Sequence, residues 1–85
     1  MSIRILYFGR LREEMGIPGE MLELPPEVSD VERLRARLIA RGGTSASAFA
    51  LSKAVRVAVN QDLARNNTPI KPGDEIAFFP PVTGG

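Results

Sequence analysis

One segment of this chain is marked at both ends as an amphipathic helix, and whatever else forms has to cover its single apolar stripe. Ser29-Asp30-Val31-Glu32 has the spacing of a capping box, with the Ser29 hydroxyl placed for the Glu32 amide. Val31, Leu34 and Leu38 then recur at i, i+3 and i+7, and Gly42-Gly43 supplies the left-handed turn that closes a helix. Arg33 and Arg37 fall opposite the stripe and read as a solvated polar face rather than an RNA site. Gly42-Gly43 has no following Lys-Ser/Thr and so reads as a helix stop, not a phosphate loop.

The flanking sequence supplies strands. Ile3, Ile5 and Tyr7 alternate with Arg4, Leu6 and Phe8, a period-2 pattern. Gly9 to Met15 reads as a short helix stopped by Gly16, and Gly16-Ile17-Pro18-Gly19 as a turn. Glu20, Leu22 and Leu24 lie on one side of a second strand, Met21 and Glu23 on the other, and Pro25-Pro26 ends it. Val55, Val57 and Val59 alternate in a third strand, expected to be central. Asn60-Gln61-Asp62 turns the chain into a short strand around Leu63 to Arg65, and Glu75 to Phe79 forms the last strand before Pro80-Pro81. Thr44 to Leu51 reads equally as a loose helical turn or a loop, with Phe49 and Leu51 as anchors.

Strand, strand, helix, strand, short strand, strand is an α+β order with the main helix on one face of a sheet. The right-handed crossover rule lays the last strand parallel beside the first. An 85-residue chain has surface for one core. Residues 1–81 are therefore expected to form one domain, and 82–85 a flexible C-terminal tail.

Composition narrows the chemistry. The net charge is +1 at pH 7, too small to hold nucleic acid by its overall field. With no Cys and no His, disulfides, thiolate metal sites, cysteine nucleophiles and the commonest general base are gone together. Neither a signal peptide nor a membrane span is visible, so a cytoplasmic protein is expected, without nucleic-acid or membrane partners. Activity is left to a chain terminus, a recognition surface or a partner.

The terminus Pro80-Pro81-Val82-Thr83-Gly84-Gly85 stands out. Two prolines favour an extended exit, and four further residues reach ~13 to 14 Å. The glycines, lacking Cβ, can thread a slot closed to other residues. A carboxylate becomes an electrophile once it is adenylated, and can then accept sulfur or an amine. A Gly-Gly end is, by composition alone, more often a frayed terminus than a functional one. If the first and last strands run side by side, Phe8 and Phe79 share the face away from the helix, next to the tail, as an apolar patch suited to a partner.

Gly73-Asp74-Glu75-Ile76-Ala77-Phe78-Phe79-Pro80-Pro81-Val82-Thr83-Gly84-Gly85 resembles the C-terminal signature of the small subunits of molybdopterin synthase, the MoaD family of ubiquitin-like sulfur carriers. Ile3 to Glu13 resembles that family's opening strand and helix, and Val57-Ala58-Val59-Asn60-Gln61 its middle strand. The resemblance implies a β-grasp (ubiquitin-like) mixed sheet packed on one main helix, with a projecting tail. It also implies a cycle in which an adenylating enzyme of the ubiquitin-activating type uses ATP on the Gly85 carboxylate, and a sulfurtransferase converts it to a thiocarboxylate. The tail then enters the large subunit, where sulfur passes to cyclic pyranopterin monophosphate. On this resemblance Gly85 is the carrier, Gly84 the threading residue, and Phe8, Arg12, Leu63, Phe79, Pro80, Pro81, Val82 and Thr83 contact the partner. The chain is expected not to be catalytic alone, and to bind no metal or cofactor of its own. The alternatives are a ubiquitin-like protein modifier and a sulfur carrier for thiamine or tRNA thiolation.

Overall fold

The alternation at the start of the chain is realised as Ser2–Tyr7 (β1), which buries Ile3, Ile5 and Tyr7 and leaves Arg4 and Leu6 on the other side. The structure, a computed structural model, describes residues 1–81. Gly9–Met15 (α1) follows, stopped at Gly16, whose φ of 76° lets its amide reach the Arg12 carbonyl at 3.0 Å. Gly19–Glu23 (β2) runs back antiparallel to β1, pairing Ile3 with Leu22 and Ile5 with Glu20.

Val31–Ala40 (α2) buries Val31, Leu34 and Leu38, as the stripe requires. Its N-cap, however, is Asp30 rather than Ser29: the Asp30 carboxylate accepts from the Arg33 amide at 2.9 Å and from the Arg33 guanidinium at 2.6 Å. The shift has a backbone cause. The Ser29 carbonyl accepts from the Ile70 amide, and the Val31 and Glu32 amides donate to the Thr68 and Asn66 carbonyls. The segment before the helix is thus tied to residues 66–70, and the first free cap position is Asp30.

The undecided stretch is a helix, Gly43–Ala48 (α3), entered through Gly42 at φ 76° and held to α2 by the Ser45 hydroxyl donating to the Leu38 carbonyl at 2.7 Å. Phe49 is the anchor, fully buried with its ring edge-on to Phe78 at 4.9 Å. Leu51 is not an anchor, being 81% exposed. Polar staples do that work: Arg35 donates to the Phe49, Ala50 and Lys53 carbonyls at 2.8 to 2.9 Å, and Arg10 to those of Ala48 and Ala54. Burial, with the Arg10 charge adding, pulls the Arg35 guanidinium below its ordinary pKa.

Arg56–Val59 (β3), Asp62–Leu63 (β4) and Glu75–Phe79 (β5) complete a mixed sheet in the order β2-β1-β5-β3-β4. β5 lies parallel to β1 and antiparallel to β3, so the middle strand is β5 and not β3. β3 has only the two-residue β4 on its far side because Asn60 and Gln61, at φ 51° and 72°, make a tight hairpin turn whose second strand leaves almost at once. The Asn60 side chain ties this turn to β5, donating to Asp74 at 3.0 Å and accepting from the Glu75 amide at 3.0 Å. α1, α2 and α3 cover one face of the sheet over a core that includes Tyr7, Leu34, Leu38, Phe49, Ile76 and Phe78.

Candidate functional site

Among the described residues the opposite face of the sheet carries no helix, and the register fixes what it displays. Since Ile5 pairs with Ile76 and Tyr7 with Phe78 inward, Leu6 pairs with Ala77 outward, Ala77 with Ala58, and Ala58 with Leu63. These four make an apolar row across four strands. One row nearer the C-terminal end of β5 stands Phe79, opposite Arg56, with Phe8 beside it, its amide donating to the Phe78 carbonyl at 3.0 Å. Phe8 is 47% exposed and Leu63 71%, so the face leaves large apolar side chains in water. Met21, on β2, adds a further exposed apolar side chain opposite Arg4.

Phe8 and Phe79 therefore share one face, as expected from alternation, and Leu63 lies on the same face. Arg12 sits at its margin, exposed on α1 one turn past Phe8, whose carbonyl accepts from its amide. Pro80 leaves β5 against Gly9: a Cβ built on Gly9 would lie 2.7 Å from the Pro80 Cγ, and Gly9 itself has φ 56°. The bare backbone at Gly9 is what lets the Pro80 ring seat there, and this contact aims the chain out beside Phe8 and Phe79. Pro81 is the last described residue. Val82, Thr83, Gly84 and Gly85 lie outside the described residues.

Alternation alone would have revealed three residues of this face that were not singled out: Ala58, Ala77 and Arg56. The groups whose proton affinity is displaced belong to the scaffold instead. Burial pushes the Tyr7 phenol above its ordinary value, and its hydrogen bond to Glu20 at 2.6 Å adds to this. Glu20 in turn is held below the usual carboxylate range by hydrogen bonds from Arg41 at 2.9 and 3.0 Å, against the effect of burial. Asp74, which burial alone would raise, is held low by hydrogen bonds from Asn60 and Lys71. Among the described residues no His, Cys, Asp or Glu cluster could hold a metal ion, and no helix is long and apolar enough to cross a membrane. What such a face can do chemically is dock, and it adjoins Pro80, where the chain leaves β5.

A five-stranded mixed sheet, one covered face, one bare apolar face and a chain end leaving the middle strand together define a ubiquitin-like β-grasp domain. The ThiS family matches residues 5–85. A relative in Escherichia coli, named molybdopterin synthase sulfur carrier subunit, is 40% identical over 83 residues, covering 98% of this chain and 99% of that one. The chain belongs to the ThiS family, among the sulfur carrier subunits of molybdopterin synthase. Of solved structures, subunits 1 and 2 of the molybdopterin-converting factor of Helicobacter pylori, a protein–protein complex, include a chain 29% identical with a TM-score of 0.65, each chain covered fully. SAMP1 of Haloferax volcanii, 22% identical with a TM-score of 0.76 and full coverage of both chains, shares the fold.

Proposed function

We propose that this protein is the cytoplasmic sulfur-carrying small subunit of a molybdopterin synthase. The observation that carries the reading is the bare apolar face around Phe8 and Phe79 adjoining the point where Pro80 leaves the sheet. A partner that covers this face also receives the tail, so docking and delivery are one event. Arg12, Leu63 and Pro81 extend the contact, and Val82 and Thr83 lead the terminus inward.

The chain lacks Cys and His, so its own side chains offer neither a sulfur carrier nor a histidine base. In the proposed cycle the Gly85 carboxylate attacks the α-phosphorus of ATP on an adenylating enzyme and pyrophosphate leaves. The terminal sulfur of a persulfide on a sulfurtransferase then displaces AMP from the acyl carbon, and a thiol reduces the resulting acyl disulfide to release the thiocarboxylate. In the large subunit that sulfur is transferred to cyclic pyranopterin monophosphate, and Gly85 returns to a carboxylate on hydrolysis. ATP is thus used on the activating partner and not by this subunit. Gly84 keeps the last turn of the path narrow.

Mass spectrometry of the protein isolated from its own cells tests the reading. The expected species carries sulfur in place of one terminal oxygen, and sulfurates pyranopterin when mixed with the large subunit. The fold shared with a small archaeal modifier keeps a second reading in play, in which Gly85 is joined to lysines of other proteins. Ladders of conjugates with no thiocarboxylate would establish that reading and refute the carrier.

A further inference from the structure

At one corner of the bare face, near Pro80, lie two exposed arginines that have no counter-charge among the described residues. Arg56 is exposed and lies opposite Phe79 in the β3–β5 ladder. The β3–β4 pairing runs one bond beyond Ala58–Leu63, the Ala64 amide donating to the Val57 carbonyl at 2.9 Å. Ala64 packs on the core and Arg65, next along the chain, is exposed; continued alternation would put it on the same side as Arg56. Among the described residues neither guanidinium has an ion pair or a side-chain hydrogen bond, whereas Arg10, Arg33 and Arg41 each have a carboxylate. Asp62 alternates to the other side of the hairpin, and Glu75 stands four residues back along β5, ~13 Å away.

Like charges facing each other across a ladder oppose folding, so the pair is a standing demand for an anion. Its place says where the anion comes from. Any surface that covers Phe79 and takes in the tail also covers Arg56, the cross-strand neighbour of Phe79. Desolvating two unpaired cations there would cancel the gain from the apolar contact, unless the covering surface brings carboxylates. We infer that Arg56 and Arg65 form an acid-recognition corner that receives carboxylates on the rim of the large subunit and sets how fast, and with which large subunit, the carrier docks. This rests on the carrier reading. Guanidinium groups suit the task because they pair bidentately with carboxylates.

The test is stopped-flow association of the carrier with its purified large subunit at low and raised salt. The wild type should associate more slowly as salt rises. Arg56→Gln with Arg65→Gln should slow association at low salt and flatten the salt dependence, and Arg56→Glu combined with Arg65→Glu should slow it about tenfold or more and reverse the dependence, raised salt now speeding association. Arg65→Glu alone should melt no earlier than the wild type, because it turns a repulsive pair into an attractive one. Wild-type association by the reversed double variant overturns the inference. So does a defect confined to the KM of the adenylating enzyme, which would make that enzyme the acidic occupant. Failure of the wild type to bind the large subunit at all would instead overturn the carrier reading beneath it.

Discussion

Phe78 and Phe79 are adjacent in sequence and point to opposite sides of β5, so truncating each to Ala separates stability from docking. Phe78 is 1% exposed, sits edge-on to Phe49 at 4.9 Å and lies between Tyr7 and Val57 in the ladders. Its loss should cost ~3 to 5 kcal/mol for the cavity, including the aromatic contact. In a domain of this size each kcal/mol lowers Tm by about 4 to 8 °C, so Phe78→Ala should melt at least about 12 °C early. Phe79 is only half-buried on the bare face, and its truncation should cost the free protein about 1 kcal/mol or less. If it anchors the large subunit, the same truncation should cost about 2 kcal/mol of binding, roughly a 30-fold rise in Kd. Thermal melts of both variants, with calorimetric titration of each against the large subunit, give the four numbers. Early melting with normal binding by Phe79→Ala would show that the two faces are assigned the wrong way round.

The other expectations concern the tail and the scaffold. Deleting Gly85, or adding one residue after it, should abolish ATP-dependent adenylation or sulfur transfer with melts unchanged, because the reacting carbon is set by chain length; pyranopterin sulfuration by either variant refutes this. Gly84→Val should bind the large subunit through the body yet transfer poorly, since a β-branched side chain obstructs a narrow path, and single-turnover sulfuration reads it directly. Glu20 is held below its ordinary 4.5 chiefly by Arg41, so its contribution is present above that value and lost as pH falls through the lowered folded pKa. Glu20→Gln should accordingly melt earlier than wild type at pH 7, by about 1 kcal/mol for a partly exposed pair, with the gap closing in acid. Asp74→Ala leaves the Asn60 amide and the Lys71 backbone N–H without their acceptor and should cost ~1 to 3 kcal/mol in denaturant melts, while docking at the far end of β5 is unaffected.

Where one local rule governed, the sequence was readable. Alternation placed Ile3, Ile5, Tyr7, Ile76 and Phe78 inside and Phe8 and Phe79 outside, and the crossover rule laid β5 parallel to β1. The misreadings share a cause, which is contact between distant segments. Ser29 has the cap spacing, but its backbone is spoken for by residue 70, and Asp30 takes over. Leu51 has the composition of an anchor, yet Arg10 and Arg35, far away in sequence, hold that loop through its carbonyls and leave Leu51 in water. β3 has the strongest strand pattern, but its rank in the sheet depends on how soon β4 peels away. Arg56 looks like an ordinary solvated charge until the β3–β5 register sets it opposite Phe79.

The position of β5 bears on how the protein is made. The β1–β2 pair and the β3–β4 pair do not touch as strands; each joins the sheet only through β5. Until Glu75 to Phe79 have emerged from the ribosome, a growing chain holds two separate strand pairs with no surface to close the core, and the pairing that completes the fold spans nearly its whole length. Phe8 and Phe79 come together in that same last step. A nascent or C-terminally clipped chain that has lost β5 therefore lacks the apolar face of Phe8 and Phe79 as well as the fold.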